Sequence, residues 1–334
     1  MSVRDTIILS PSDLKYLLID SLRLYSDNVV FLDGNNPYRF SINKKTFYVL
    51  IKNIHESGDG RGNQDECRIQ ISRTRNFNEA LSSKNDVIVL GYFADENVFT
   101  AWNPFLLRDR FNEKQTVSVY SRFSTLKTAS SFRIATYRDS NGQSIISFKP
   151  EYLGLYLENI SKIHLLSDED LIELIDFSDN LDDAELEGTA LHLDEGDLTV
   201  THTRYKRDTK FRGLVYDAYE HRCAMCGIQL ELVEAAHIVP HSHEKGTDEV
   251  NNGICLCPIH HSAYDRGLIY FNENYDIKIN NAKMTYLEKI GKDAGFRKFQ
   301  TLGFDKIRVP DNHTLRPNIS YISLANSIRG IDET

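Results

Sequence analysis

The sequence predicts an α+β protein: a mostly-β N-terminal domain, an acidic connection, and a C-terminal domain built around metal-type side chains. Three observations carry this. Short β-type runs separated by turn residues fill much of the first half. Residues 163–203 hold 13 Asp or Glu and no Lys or Arg. Four of the five cysteines crowd between positions 223 and 257. A chain of 334 residues is also too long for one ordinary core, and the divisions fall at 1–162, 163–203 and 204–334.

Ser12 to Asp27 reads as an amphipathic helix, with Leu14, Leu17, Leu18, Leu22 and Leu24 on one stripe and Ser10 or Ser12 as its cap. After Pro37 the pattern turns to strands at 46–51, 68–71, 87–93, 97–102, 117–120 and 132–137, with Gly, Asn and Asp between them. Runs this close together imply a curved sheet or partial barrel.

In the acidic stretch, Leu171 to Phe177 keeps helical spacing, while the region around Asp182 to Asp197 has the composition of a solvated linker. A second domain begins near Tyr205. The overall charge of -9 is concentrated in this stretch, since residues 1–162 carry 21 basic and 18 acidic side chains and residues 204–334 carry 18 and 17. The acidity of the whole chain is therefore no objection to a polyanionic partner.

No apolar run reaches the roughly 20 residues of a membrane helix. The opening Met1-Ser2-Val3-Arg4-Asp5 lacks a secretion pattern, so the expected compartment is the cytoplasm. Clustered cysteines in a reducing compartment point to metal rather than disulfides. Cys67 stands apart and reads as a small buried hydrophobe.

Two pairs have the spacing of a structural zinc site: Cys223 with Cys226, and Cys257 with His260. With two residues between its members, each pair lets one turn present both to a tetrahedral ion, and Pro258 stiffens the second turn. Cys255 lies two residues before Cys257 on an apolar run and reads as core.

Interleaved with these is a second set. Residues 232–240 (Leu-Val-Glu-Ala-Ala-His-Ile-Val-Pro) read as a strand ending at Pro240, and 251–256 (Asn-Asn-Gly-Ile-Cys-Leu) as another. His260 to Gly267 reads as a short helix stopped by its glycine. The order His237, Asn252, His261 along a strand, loop, strand and helix resembles the HNH endonuclease family. The closest likeness is the branch with a Glu-Ala-Ala-His strand and a His-His-x-x-Tyr-Asp-x-Gly helix. The likeness covers Phe211 to Leu268, and reaches more weakly to 307–310 and 315–318.

The resemblance implies a ββα-metal nuclease core that hydrolyses DNA phosphodiester bonds to 5′-phosphate and 3′-hydroxyl ends. It assigns His237 as general base, Asn252 as the brace of the loop, and His261 as ligand of a catalytic Mg2+ or Mn2+. Many relatives carry a further ligand just before the base, where this chain has Ala236. Asp265, one helical turn after His261, is the first candidate to replace it, and Glu234, two residues before Ala236 on the same strand face, is the second.

Such cores cut with little sequence choice, so selectivity is expected from the N-terminal domain. There Arg68, Arg73, Arg75, Arg108, Arg110, Arg122, Lys127, Arg133 and Arg138 interleave with Tyr120, Phe123, Phe132 and Tyr137, a pattern suited to duplex DNA or a modified base. The expectation is a restriction or defence endonuclease acting on double-stranded DNA, with dependence on base modification left open, working as a homodimer. Two alternatives stay open: a nuclease gated by a small-molecule or protein sensor, and a zinc-containing DNA-binding protein whose nuclease centre has decayed.

Overall fold

The computed structural model describes residues 7–26, 29–43, 45–56, 64–179, 189–194, 197–202, 209–241 and 243–331. The chain divides into two compact units, residues 1–27 with 33–205 and residues 28–32 with 206–334.

The first helix runs Pro11–Arg23. Of the two serines, Ser10 is its cap: its hydroxyl accepts from Asp13 N, and Asp13 accepts from Ser10 N, a reciprocal capping box. In the first unit Tyr38–Ile42, Lys45–Asn53, Asp86–Phe93, Val98–Ala101, Ser144–Phe148 and Ile134–Arg138 are neighbours in that order in one mixed sheet. Lys45–Asn53 and Asp86–Phe93 run parallel, Phe47 opposite Asp86 through Asn53 opposite Tyr92. A parallel pair needs a crossover, which is why so much chain lies between them. His55–Glu56, Glu66–Ser72 and Thr116–Arg122 form a separate antiparallel sheet.

This corrects the mostly-β expectation. The strands between residues 38 and 148 fall into two sheets, and among the described residues neither closes into a barrel. Helices Arg75–Ser82, Pro104–Glu113 and Phe123–Phe132 interrupt the series. Thr74 and Asn103 cap the first two through their side chains. Phe77 and Phe111 then meet edge to face at 4.8 Å in the core. Phe132, expected in a strand, ends the third helix and is 72 % exposed.

The acidic stretch is also more structured than a linker. Asp168–Asp179 is a helix that buries Leu171, Leu174 and Ile175. Thr189–Asp194 pairs antiparallel with Asp197–His202. The rest of the expected linker, residues 180–188 and 195–196, and the start of the second domain near Tyr205 lie outside the described residues. Among the described residues no helix is long and apolar enough to cross a membrane.

The second unit packs helix Thr209–Ala218 against the antiparallel pair Glu234–His237 and Gly253–Leu256, with helix Pro258–Asp265 following. Hairpin Ile269–Phe271 with Ile277–Ile279 and helix Ile319–Ile328 complete a core that includes Phe211, Val215, Ile254, Tyr264, Phe271 and Ile322. Residues 307–310 form no strand. Ile307 N donates to Tyr275 O, Arg308 N donates to Ala224 O, and pairing is limited to a bridge between Asp276 and Lys306.

Candidate active site

Cys223, Cys226, Cys257 and His260 converge so that their ligand atoms all lie within 4.8 Å of one another. Cys223 Sγ is 3.6 Å from His260 Nδ1, Cys257 Sγ 3.2 Å from the same nitrogen, and Cys226 Sγ 3.9 Å from Cys257 Sγ. Ligands on a tetrahedral zinc stand about 3.3–3.8 Å apart, so the spacing fits the ion. The turn after Cys226 uses Gly227 at φ 73°, where a side chain would be strained. Burial opposes ionisation of Cys223, but His260 and the N–H groups of Cys257, Met225 and Cys226 outweigh it and bring the thiol down to about 6. Burial pushes Cys226 up to about 12 and Cys257 upward. A bound cation is what would let all three be thiolates. Cys255 is fully buried across from Ala235 and outside the cluster, as expected of a core residue.

His237 ends the strand Glu234–His237, directly opposite Gly253. The missing side chain matters here: a Cβ on Gly253 would sit 2.4 Å from Val215 Cγ2 and 3.1 Å from the Phe211 ring. Glycine therefore lets helix Thr209–Ala218 approach, and Phe211 lies flat on His237 at 4.0 Å between centroids and 7° between planes. His237 Nε2 meets Asp248 Oδ1 at 2.9 Å. Burial lowers the His237 pKa, Asp248 works in the opposite direction, and the net shift is downward. A neutral imidazole near pH 7 follows.

Asn252 is fully buried. Its Oδ1 accepts from Val239 N at 2.9 Å, and its Nδ2 donates to Val239 O at 3.0 Å and Thr247 O at 2.8 Å. Its own carbonyl accepts from Ile238 N at 2.8 Å. One side chain thus closes the whole loop that follows His237.

Helix Pro258–Asp265 presents His260 to the cysteines and His261 to the other site. Both His261 nitrogens meet carboxylates: Nδ1 with Glu234 Oε2 at 2.5 Å, and Nε2 with Asp265 Oδ2 at 3.0 Å. Burial works against charge on His261, but Asp265 and Glu234 prevail and push its pKa up to about 10. Hydrogen bonding to His261 in turn lowers the Glu234 pKa. The donor types suit a divalent cation. As arranged, the two carboxylates sit on different ring nitrogens, so only one of them can share an ion with His261.

Sequence reasoning missed four residues here. Arg329 is 2 % exposed. Its guanidinium donates to Tyr264 O, Ile238 O and Asp265 Oδ1 at 3.1, 3.0 and 3.2 Å, and lies 3.9 Å over the Tyr264 ring. It ties the residue after His237 to the far end of the His261 helix. Asp248, Phe211 and His241, whose Nε2 is 3.6 Å from Asp248 Oδ2, are the others. No local motif singles them out, because loop closure and packing bring them in.

In the first unit, most of the basic residues singled out from sequence are already engaged. Arg73 donates to Phe111 O and Asn78, Arg108 to Leu81 O, and Arg110 to Ser118 O. Arg75 pairs with Glu79, and Arg122 lies 5.0 Å over Tyr137. Arg133 pairs with Asp176 and Asp179 of the acidic helix at 2.6 and 2.5 Å. Phe123 packs on Phe93 at 5.3 Å. Lys127 and Arg138 remain exposed.

Residues 45–157 match the family described as Methylase-associated X1. Residues 223–272 match the HNH endonuclease family, over the stretch that holds the cysteine–histidine cage, His237, Asn252 and His261. No curated protein has a matching sequence. Among solved structures, a modification-dependent TagI restriction endonuclease aligns over 87 % of this chain and 83 % of its own, at 13 % identity and a TM-score of 0.28. A score that low carries no inference about fold or function. The strand, loop, strand and helix at 234–265 and the family match over 223–272 lead to one identification: the chain carries an HNH endonuclease domain.

Proposed function

We propose that this chain is a metal-dependent endonuclease that hydrolyses phosphodiester bonds of double-stranded DNA, leaving 5′-phosphate and 3′-hydroxyl ends. The observation that carries the reading is the gathering of His237, Asn252 and His261 around one site, with Asp265 close enough for its charge to act on both histidines. His237, kept neutral by burial, takes the proton of the attacking water. Asn252 holds the loop around that base. His261 holds a Mg2+ or Mn2+, and such an ion supplies stabilisation of charge on the phosphate and the departing 3′ oxygen. Cys223, Cys226, Cys257 and His260 hold a structural Zn2+ that fixes the start of the His261 helix.

For the ligand that Ala236 does not supply, Asp265 is the first candidate. A specific observation favours Glu234 as a second. Asp265 already answers the buried cation Arg329, whereas Glu234 is half exposed and pairs with His261.

The biological setting we infer is a restriction or defence enzyme of the cytoplasm. The description of the family matched at 45–157 associates such domains with methylases, and a nuclease beside DNA methylation is the logic of restriction. Two copies, each cutting one strand, would account for double-strand cleavage. A sensor role for the first unit is favoured by one finding: its arginines are largely spent on its own carbonyls and carboxylates, with Arg133 held by the acidic helix. A decayed centre is disfavoured by the complete set of contacts around His237 and His261.

The test is cleavage of plain and cytosine-methylated plasmids by the full-length protein with Mn2+ or Mg2+. Cutting restricted to methylated DNA supports modification dependence, and equal cutting removes it. No cutting of either, restored by an added cell extract or small molecule, supports the sensor reading.

A further inference from the structure

Asp248 lies in the loop between the two strands of the site, at a position that no motif marks. A carboxylate in such a loop ordinarily accepts from nearby backbone N–H groups. Here, among the described residues, its oxygens meet imidazoles instead. Oδ1 is 2.9 Å from His237 Nε2, and Oδ2 is 3.6 Å from His241 Nε2.

The backbone delivers it there. Asn252 grips Thr247 O, the residue immediately before Asp248. Gly246 permits the tight turn, since a Cβ there would fall 2.2 Å from Pro240 O. Phe211 stacks on a face of the His237 ring. The imidazole is thus held at its face by Phe211 and at its Nε2 edge by Asp248, leaving Nδ1 without a partner among the described residues.

We propose that Asp248 is the positioning residue of the nuclease base: it accepts the Nε2–H of His237 and so keeps the lone pair on Nδ1, facing the attacking water. The inference rests on His237 being the general base. In the step, the water oxygen bonds to phosphorus as its proton passes to His237 Nδ1. The bond from phosphorus to the 3′ oxygen breaks, and its electron pair leaves with that oxygen, which takes a proton from solvent. The imidazolium formed is stabilised by Asp248, which stays ionised, and later returns its proton to solvent. This is the division of labour of a histidine–aspartate pair in acyl transfer, applied to a phosphodiester.

The charged and titratable groups acting on His237 are Asp248, His241 and, across from the helix, Asp265. Phe211, on the helix packed over it, is neutral, and the neighbouring Arg212 acts on Glu234. Removing the Asp248 charge should therefore leave His237 easier to deprotonate and in the wrong tautomer for part of the time.

The experiment uses zinc-loaded full-length protein and whichever supercoiled plasmid, plain or methylated, the wild type nicks. Asp248→Asn and Asp248→Ala should slow single-turnover nicking by about 10²–10⁴-fold, with the acid limb of the rate profile moved to lower pH. Nitrogen-15 NMR should show neutral His237 as the Nε2–H tautomer in the wild type and mixed in both variants. Unchanged rate, limb and tautomer, with His237→Ala inactive, would overturn the positioning role alone. Wild-type nicking by His237→Ala would instead overturn the base assignment beneath it. If Asp248→Ala loses zinc or unfolds, the isosteric Asp248→Asn carries the test on the same three readouts.

Discussion

Arg329 Nη2 stands 3.2 Å from Asp265 Oδ1, a nearly buried guanidinium meeting a carboxylate at the end of the His261 helix. The same guanidinium donates to Ile238 O, the residue after His237. One cation therefore ties the loop after the His237 strand to the helix of His261.

Removing it should be costly. Arg329→Met removes one donor each from the carbonyls of Ile238 and Tyr264 and from the Asp265 carboxylate. Breaking a buried pair from one side typically costs about 3–5 kcal/mol. Asp265 is partly exposed, so the lower part of that range is expected, read as a fall in the denaturant midpoint of the nuclease unit. An unchanged midpoint would show that the contacts of Arg329 contribute nothing net.

Metal analysis after extensive dialysis should find one tightly held zinc per chain. Cys223→Ser, Cys226→Ser or His260→Ala should each lose it and lower the stability of the second unit, since such an ion contributes directly to folding. Cys255→Ser should keep it, because Cys255 faces the core. A zinc-free preparation that remains stably folded would refute the structural ion.

His237→Ala should lower cleavage by at least the 10²–10⁴-fold typical of a general base, while zinc content and the thermal midpoint stay close to wild type. A drop below tenfold in a preparation free of contaminating nuclease would place the base elsewhere.

The choice between Asp265 and Glu234 is open to a manganese titration. If Glu234 shares the ion with His261, Glu234→Gln should raise the half-saturating manganese concentration about tenfold or more, roughly the loss of one ligand contact, while Asp265→Asn does less. The opposite ranking would assign Asp265.

Acid should weaken the first unit through His164. This histidine is buried, with Nδ1 meeting Ser144 O and Nε2 meeting Tyr156 OH, both at 2.9 Å. Burial brings its pKa down to about 4, against a partial upward pull from Ser144 O. The folded state thus disfavours the proton that the unfolded chain accepts near 6.5. Its contribution is intact above about pH 6.5 and is lost as pH falls toward 4, a change of order 3 kcal/mol. Urea midpoints at pH 7.5 and 5.0 should show the fall, and His164→Gln should flatten it.

What was legible in the sequence was what lies close along the chain. The two-plus-two cysteine and histidine pairs, the Glu-Ala-Ala-His strand and the His-His helix are each within one turn or strand, and their spacing encodes their geometry. The helices at 75–82, 104–113 and 123–132 were not legible. Eight to ten residues carry too few apolar positions for a period to stand out, and their caps, Thr74 and Asn103, read as turn residues. Arg329 and Phe211 reach the site only after packing, across 64 residues to Asp265 in one case and across the strand pair in the other. Within the acidic stretch the helical spacing of 171–177 was legible, and the helix Asp168–Asp179 extends it to both sides among carboxylates that outnumber its buried leucines.

Position 253 has a consequence for how the nuclease domain can vary. Its glycine is chosen by neither a turn nor an unusual backbone angle, for the chain there is extended at φ -117°, ψ 150°. The hydrogen in place of a methyl group sets how near the helix of Phe211 comes to the strand of His237. Even alanine would press on Val215 and Phe211, wedging the two elements apart and unseating the aromatic ring from the imidazole without touching His237 or His261. The tolerance of this active site to change is thus bounded by the width of a single carbon atom on the strand that carries no chemistry of its own.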